Sequence, residues 1–152
     1  MADDVRTLLS SVSFTRDLQQ VDLDRLADMA APVTWRAGQT IFREGQSDES
    51  FYLIVEGRVA IDIAVPRRGP VRILTLSAGE VFGWSSIFHR KPKTAGATAV
   101  EATRALALKA DRLRDLSEAD PRFGYWLARR LLEVLAERLK ATRLQMLDVF
   151  GG

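Results

Sequence analysis

The spacing of glycines in the middle of the chain is the feature that most limits its fold. From residue 33 to residue 109, short runs of alternating or β-branched apolar residues are separated by glycines every 7 to 12 residues. Many short strands at this spacing predict a small barrel or a sandwich of two antiparallel sheets. The glycines that separate the runs are Gly38, Gly45, Gly57, Gly69 and Gly79.

Helical patterns flank this β-rich region on both sides. Residues 3–29 carry apolar residues at helical spacing, with aspartates on the opposite face, and Pro32 is expected to end that zone. Towards the C-terminus, "ADRLRDL" predicts a short helix. Asp120-Pro121 then predicts the start of a long one, because aspartate caps free N–H groups and proline is tolerated at the first helical position. No proline follows up to residue 150, so this helix extends for about 40 Å.

Turn signals predict how the strands connect. The stretch "YLIVEGRVAI" has the pattern of a hairpin around Glu56-Gly57, and "VPRRGP" predicts the next turn, before the strand "VRILTL". Further along, "TAGATAV" and "RALALK" predict two more strands, joined by a turn at residues 101–103.

The long helix has two apolar faces and therefore needs two neighbours. Leu127, Leu131 and Val134 form one face, which we expect to pack on the β-rich region. A domain of this size is only about 25 to 30 Å across, so the helix extends beyond it. The alternative is a helix buried wholly in its own domain. The second face has heptad spacing and predicts a parallel homodimer through Leu132, Leu135, Leu139, Thr142, Met146 and Val149.

The composition excludes several classes of function. The chain has no cysteine and one histidine, His89, which excludes iron–sulfur clusters, thiolate zinc sites and multi-histidine metal sites; no catalytic residues are predicted. The net charge is only +2, and the 18 arginines and 4 lysines are mixed with acidic residues, so no nucleic-acid-binding face is predicted. No apolar run could span a membrane and the N-terminus is acidic, so we expect a cytoplasmic protein.

The stretch "GEVFGWSSIFHRKPKTA", residues 79–95, combines a glycine-started turn with a basic loop. Helix starts of this kind bind anions through free N–H groups. Together with "AGQTIFREGQSDESFYLIVEGRVAI" and "AERLKATRLQM", this stretch resembles the cyclic-nucleotide-binding domain, the family that includes the ligand domain of bacterial catabolite activator protein and the regulatory subunit of protein kinase A. The resemblance extends from about residue 14 to residue 149.

This resemblance implies an α+β, mainly β fold. Its core is an eight-stranded β-roll (jelly roll) with N-terminal helices, a short helix within the roll and a long C-terminal dimerisation helix. The implied segments are a helical lead-in at 1–32, the ligand-binding roll at 33–109 with a phosphate cassette at 79–99, and C-terminal helices at 110–152, of which the long one covers 121–150.

The resemblance also implies a non-enzymatic regulatory domain that needs no cofactor. It would bind cyclic AMP, cyclic GMP or a related small anion and relay occupancy to the long helix. Phe82 and Gly83 match the start of the family's cassette, and residues 92–95 match its end. The amides of the first turn would bind the phosphate, Lys93 would supply the counter-charge, and Thr142 would reach the base. The implied ligand-binding residues are Phe82, Gly83, Trp84, Ser85, Ser86, Lys93, Thr94, Ala95, Thr142 and Arg143.

Two positions depart from the family's pattern. Trp84 stands where the family has a glutamate that accepts hydrogen bonds from the ribose, and tryptophan has no acceptor. Lys93 stands where the family has an arginine. Lysine keeps the positive charge but cannot form the bidentate hydrogen bonds that a guanidinium makes with a phosphate. Each lost hydrogen bond to a charged group weakens binding by about 10- to 150-fold.

Three alternatives follow from these departures and from the length of the chain. In the first, Trp84 closes the pocket and the chain is a dimeric protein-interaction module. In the second, the chain is the effector domain of a catabolite-activator-type transcription regulator. In the second case the DNA-reading part, which no residues after Phe150 supply, lies outside this sequence. A cupin-type enzyme has a similar β-roll, but its metal site needs several histidines.

Overall fold

A computed structural model describes residues 2–84, 87 and 93–151 of the chain. These residues form two compact units, 1–114 and 115–152. The first unit begins with helix α1 (Ala2–Ser11), a 3-10 turn (Ser13–Thr15) and helix α2 (Gln20–Met29). Their apolar faces are buried, in agreement with the helical spacing of the N-terminal zone; the buried residues include Leu9, Phe14, Leu23 and Leu26. The expected solvent face is wrong at Asp22, which is fully buried and lies 3.4 Å from the Arg25 guanidinium.

The described part of the chain contains eight antiparallel strands in two four-stranded sheets, which confirms the predicted β-roll. The first sheet has the order β1-β8-β3-β6 and the second has the order β2-β7-β4-β5. The strands are β1 (Ala30–Trp35), β2 (Thr40–Phe42), β3 (Ser50–Glu56), β4 (Val59–Val65), β5 (Gly69–Leu76), β6 (Val81–Phe82), β7 (Gly96–Ala99) and β8 (Thr103–Lys109).

The first strand begins earlier than the sequence predicts. Pro32 lies inside β1, where it pairs with Leu106, and does not mark the boundary between helix and strand. Proline lacks a backbone N–H donor and is accepted in a sheet mainly on an edge strand. Because β1 is the edge of its sheet, Pro32 does not interrupt it.

The predicted hairpin around Glu56-Gly57 is wrong. Strand β3 pairs with β6 and β8, whereas β4 pairs with β5 and β7, so the two strands belong to different sheets. Gly57, with φ of 101°, lies against the turn that leads into β8, and a Cβ there would lie 2.6 Å from the Ala102 carbonyl oxygen. The chain therefore crosses between the sheets at this glycine. The next predicted turn is confirmed, since β4 and β5 pair from Val65 and Gly69 onwards.

The core lies between the two sheets. Side chains from both sheets meet there, and the largest contributions are aromatic. Strand alternation places these residues on the inner faces. The buried members of this core cluster are Phe42, Tyr52, Ile54, Val59, Leu76, Phe82 and Ala97, with Trp35, Ile61 and Leu74 among those packed against it.

Helix α3 (Ala110–Ala119) and helix α4 (Pro121–Gly151) follow the roll. The predicted start of the long helix is confirmed, because the Asp120 carboxylate accepts hydrogen bonds from the backbone N–H groups of Arg122 and Phe123, at 3.2 and 3.4 Å. At 31 residues the helix is about 46 Å long. Among the described residues, no helix combines the length and apolar character that a membrane span requires. The short helix predicted within the roll falls mainly on residues outside the described ones.

Candidate functional site

The chain turns sharply where β6 ends, and Gly83 makes this turn. Its φ is +84°, in the region that favours glycine. A Cβ at this position would lie 2.8 Å from the Ser50 carbonyl oxygen and 3.3 Å from the Lys93 ammonium nitrogen. The lysine is only 4% exposed, and its Nζ donates a hydrogen bond to the Gly83 carbonyl oxygen at 3.1 Å. The structure thus brings together two residues that the sequence assigned to the cassette.

A rigid turn between β2 and β3 holds the backbone of Lys93. Its N–H donates to the Gln46 carbonyl oxygen at 2.9 Å, and its own carbonyl oxygen accepts from the Gly45 N–H at 2.7 Å. The Gln46 side chain in turn accepts a hydrogen bond from the Arg43 N–H at 2.8 Å. The position of the Lys93 backbone is therefore set by a segment almost fifty residues earlier in the chain.

The ammonium of Lys93 lies in an aromatic and acidic environment. Its Nζ is 4.9 Å from the centre of the Phe42 ring, a cation–π contact. Burial lowers the pKa of Lys93, and the carboxylate of Asp48 partly opposes this effect. Asp48 accepts hydrogen bonds from the Tyr52 hydroxyl at 2.9 Å and from the Ser50 N–H at 2.8 Å. Burial, followed by the neighbouring Asp48 charge, raises the pKa of Tyr52, which therefore stays protonated as a donor.

Aromatic rings support this arrangement from below. The Tyr52 ring stacks on Phe82 with centroids 4.9 Å apart, and Trp35 meets Tyr52 edge-on at 5.3 Å. Phe82, which the sequence places among the ligand-binding residues, is almost fully buried in the core cluster. A contact between Phe82 and a ligand stays a prediction.

The first turn after Gly83 is described in part. The Trp84 carbonyl oxygen accepts a hydrogen bond from the Ile87 N–H at 2.9 Å, and Trp84 is half-buried. The Ile87 carbonyl oxygen accepts from Arg114 Nε at 2.7 Å, which joins this turn to helix α3. The predicted phosphate-binding residues Ser85 and Ser86, together with His89 and Pro92 of the loop, lie outside the described residues.

The structure also places the four remaining predicted site residues. Thr94 is exposed and Ala95 is half-buried, directly after Lys93. Thr142 and Arg143 are exposed on α4, in the second compact unit, and the Thr142 hydroxyl donates to the Arg138 carbonyl oxygen at 3.0 Å. Their contribution to the pocket stays a prediction.

Three residues around Lys93 and the cassette were not singled out from the sequence. Asp48 and Tyr52 lie within "SDESFY", which the sequence supports only as part of the roll, and Arg114 lies in a segment with an ordinary amphipathic pattern. Their roles depend on contacts with residues 27 to 45 positions away, namely Arg114 with Ile87 and Lys93 with Asp48. No local pattern marks such contacts.

Comparisons with known proteins agree with this geometry. The family model of the cyclic nucleotide-binding domain matches residues 32–120. The CRP-like cAMP-activated global transcriptional regulator of Mycobacterium tuberculosis is 28% identical over 142 residues, which cover 93% of this chain and 62% of that protein. The cAMP-dependent protein kinase regulatory subunit of Dictyostelium discoideum is 29% identical over 111 residues, covering 71% of this chain and 34% of that protein.

A solved structure shows the same architecture. The catabolite activator protein of Thermus thermophilus superposes with a TM-score of 0.71 and 26% identity, over 91% of this chain and 62% of that one. The chain therefore spans less than two thirds of the length of each of these three relatives.

Proposed function

This chain belongs to the cyclic nucleotide-binding domain family, and on that basis we propose that it is a non-enzymatic sensor domain that binds a small anionic ligand in its cassette. The ligand class is a cyclic nucleotide or a related phosphate. The observation that carries the proposal is the nearly buried ammonium of Lys93 beside the Gly83 carbonyl oxygen. Burying a charge is costly unless it is paired and hydrogen-bonded, and the phosphate of a ligand at the neighbouring Gly83 turn would supply an opposite charge.

The cassette would bind the anion through two kinds of group. Backbone N–H groups at the start of a turn point towards a ligand placed there and carry partial positive charge. The ammonium of Lys93, which donates a hydrogen bond to the Gly83 carbonyl oxygen, would supply the positive charge that attracts the anion. Gly83 allows the close approach, because any side chain there would meet the Ser50 carbonyl oxygen and the lysine.

Occupancy would reach the C-terminal helices through Arg114. Its guanidinium donates a hydrogen bond to the Ile87 carbonyl oxygen at 2.7 Å, so a ligand that shifts this turn would also shift the middle of α3. One residue, Asp120, separates α3 from α4. A ligand with different affinity for two arrangements of these helices would change their populations.

The Trp84→Glu variant is expected to bind cyclic AMP about 10-fold or more tightly than the parent chain. The substitution restores a carboxylate that accepts hydrogen bonds from a ribose hydroxyl and removes the bulk of the indole. Isothermal titration with cyclic AMP and cyclic GMP measures the change. The Trp84→Leu variant is the matched control, since it removes the indole without adding an acceptor.

The two variants separate the contributions of the side chain. If only Trp84→Glu gains affinity, the carboxylate is responsible; if both gain equally, the indole obstructs the pocket. A loss of affinity in both variants would contradict the expectation, because it would mean that the indole itself stacks on the ligand.

We also propose that the chain forms a parallel homodimer through α4. The helix exposes Leu132, Leu135 and Leu139, three consecutive positions of the predicted heptad face. Exposed large apolar side chains at this spacing are typical of a coiled-coil interface. Thr142 of this face is exposed as well, whereas the side chains of Met146 and Val149 lie outside the described ones. This observation also favours the second candidate function, a dimeric interaction module with a closed pocket.

The Leu139→Glu variant is expected to raise the dimer dissociation constant by at least about 10-fold, because it places two like charges in the dimer interface. Light scattering coupled to size-exclusion chromatography, run over a range of protein concentrations, measures the change. Leu144→Glu is the matched control: Leu144 is 54% exposed and Leu139 is 56% exposed, but the two lie about 140° apart around the helix. Equal dissociation in both variants would contradict the heptad face as the interface.

A further inference from the structure

A second pocket lies on the β-roll, formed by β2, β4, β7 and the start of β5, with a volume of about 260 Å³. Asp62 of β4 pairs with Gly96 of β7, and their neighbours Ile61 and Ala97 pack in the core cluster. Because successive residues of a strand face opposite sides of the sheet, Asp62 and Gly96 lie on the outer face. The polar lining consists of Thr40, Arg43, Glu44, Asp62 and Thr98.

The pairing of Asp62 with Gly96 is unfavourable for strand formation. Aspartate and glycine are both depleted in strands, and a glycine within a strand often marks a close approach of another group. Here a Cβ at Gly96 would lie 2.7 Å from the Asp62 carboxylate oxygen. Because Gly96 has no side chain, the Asp62 carboxylate can occupy this space at the pocket. Local rules of this kind are most often broken at functional sites.

The pocket carries more negative than positive charge. Within residues 2–84, 87 and 93–151, the Asp62 carboxylate makes no hydrogen bond or ion pair. Glu44 is fixed beside it, because its Oε2 accepts a hydrogen bond from the Ala64 N–H at 2.8 Å. Arg43 is the only basic residue of the lining described by the structure. Two carboxylates and one guanidinium favour a cation as the occupant.

We propose that this pocket binds a small organic cation, an amine or a guanidinium carried on a short apolar stem. The cationic head pairs with Asp62, and the stem lies along Ala64 and Pro70, the exposed apolar part of the lining. At about 30 Å³ per water-sized group, the volume accommodates about nine non-hydrogen atoms. Agmatine has this size and both cationic groups. An arginine side chain of a partner peptide carries the same chemistry.

Isothermal titration of the whole chain with agmatine tests the proposal. We expect saturable binding at one site, and at least a 10-fold weaker affinity for the Asp62→Asn variant, which keeps the shape and removes the charge. Asp17→Asn is the matched control, since Asp17 has a 75% exposed side chain outside this pocket. Its affinity should stay within about twofold of the parent value.

Two further measurements complete the test. Gly96→Ala keeps every charge but places a methyl group where the carboxylate lies, and it should weaken agmatine binding while circular dichroism reports an intact fold. N-acetyl-arginine amide replaces agmatine to identify the source: binding as tight as that of agmatine supports a partner's arginine, and much weaker binding supports a free small amine. No saturable binding at millimolar agmatine, or equal affinity in the parent and Asp62→Asn, would overturn the proposal.

Discussion

The Lys93→Met variant is expected to bind any anionic ligand of the cassette about 100-fold more weakly than the parent chain. Methionine keeps most of the volume beneath the Phe42 ring and removes only the ammonium, which lies 4.9 Å from that ring. A hydrogen bond to a charged group contributes about 1.5 to 3 kcal/mol, which corresponds to a factor of about 10 to 150. The Lys93 ammonium would make this bond within a nearly buried site, where the upper part of the range applies. Isothermal titration with cyclic AMP and cyclic GMP measures the loss.

The fold of this variant should remain intact. The ammonium is nearly buried and burial lowers its pKa, so removing it relieves a desolvation cost. In exchange, the Gly83 carbonyl oxygen loses its donor and the Asp48 carboxylate loses a neighbouring positive charge, which together cost about 1 to 3 kcal/mol. We therefore expect a net change in the free energy of unfolding of at most about 2 kcal/mol. Chemical denaturation separates this small effect from the large effect on binding.

Two other variants make the interpretation specific. Lys109→Met removes the same charge at an exposed position at the end of β8 and should leave affinity within about twofold of the parent. Lys93→Arg supplies two parallel N–H groups and should recover or exceed the parent affinity. If a ligand demonstrably occupies the cassette and Lys93→Met binds it as tightly as the parent, the assignment of the counter-charge to Lys93 is wrong.

The Gly57→Ala variant is expected to lose about 2 to 5 kcal/mol of unfolding free energy, the largest effect on stability among the substitutions considered. The left-handed backbone, with φ of 101°, costs a residue with a Cβ about 1 to 2 kcal/mol. The added carbon would also lie 2.6 Å from the Ala102 carbonyl oxygen and 2.7 Å from the Thr103 Cα, and close to the Thr103 hydroxyl. Overpacking against backbone adds about 1 to 3 kcal/mol. Urea denaturation followed by circular dichroism measures the sum.

Gly38→Ala is the matched control for the clash. Gly38 has a φ of 84°, and a Cβ there would meet no described atom within 4 Å. This variant should lose only the conformational part, about 1 to 2 kcal/mol. The difference between the two variants measures how tightly the crossing at Gly57 packs on the turn into β8. Equal losses of unfolding free energy in both variants would contradict the expected clash, because they would show that the residues around Gly57 move aside for the added methyl group.

The connection at Gly57 also illustrates the limit of sequence patterns. Two apolar runs around Glu56-Gly57 predict a hairpin, yet the strands belong to different sheets. The true hairpin between β4 and β5 likewise consists of two apolar runs around a turn that contains a glycine. A hairpin and a crossing between sheets differ in which distant strand each run pairs with, and here β3 pairs with β8, for example Leu53 with Leu106.

The candidate site divides in a similar way. The sequence identified Gly83 and Lys93 as residues of the cassette. In the structure, the Lys93 Nζ lies 3.1 Å from the Gly83 carbonyl oxygen. The groups that orient the lysine were missed, because Gln46, Asp48 and Phe42 lie in a segment without a motif of its own. The pocket around Asp62 and Gly96 was missed for the same reason, since the pairing joins residues 34 positions apart.

Local interactions account for what could be known from the sequence alone. Apolar periodicity, the glycine-punctuated strands and the Asp120-Pro121 cap depend on residues within a few positions of each other, and together they indicated a small barrel or sandwich followed by a long helix, which the family resemblance specified as a β-roll. The pairing of strands, the burial of the Lys93 side chain and the pocket around the Asp62 carboxylate became known only from the folded chain. Each depends on contacts between segments that are distant in sequence, whose energy no local pattern records.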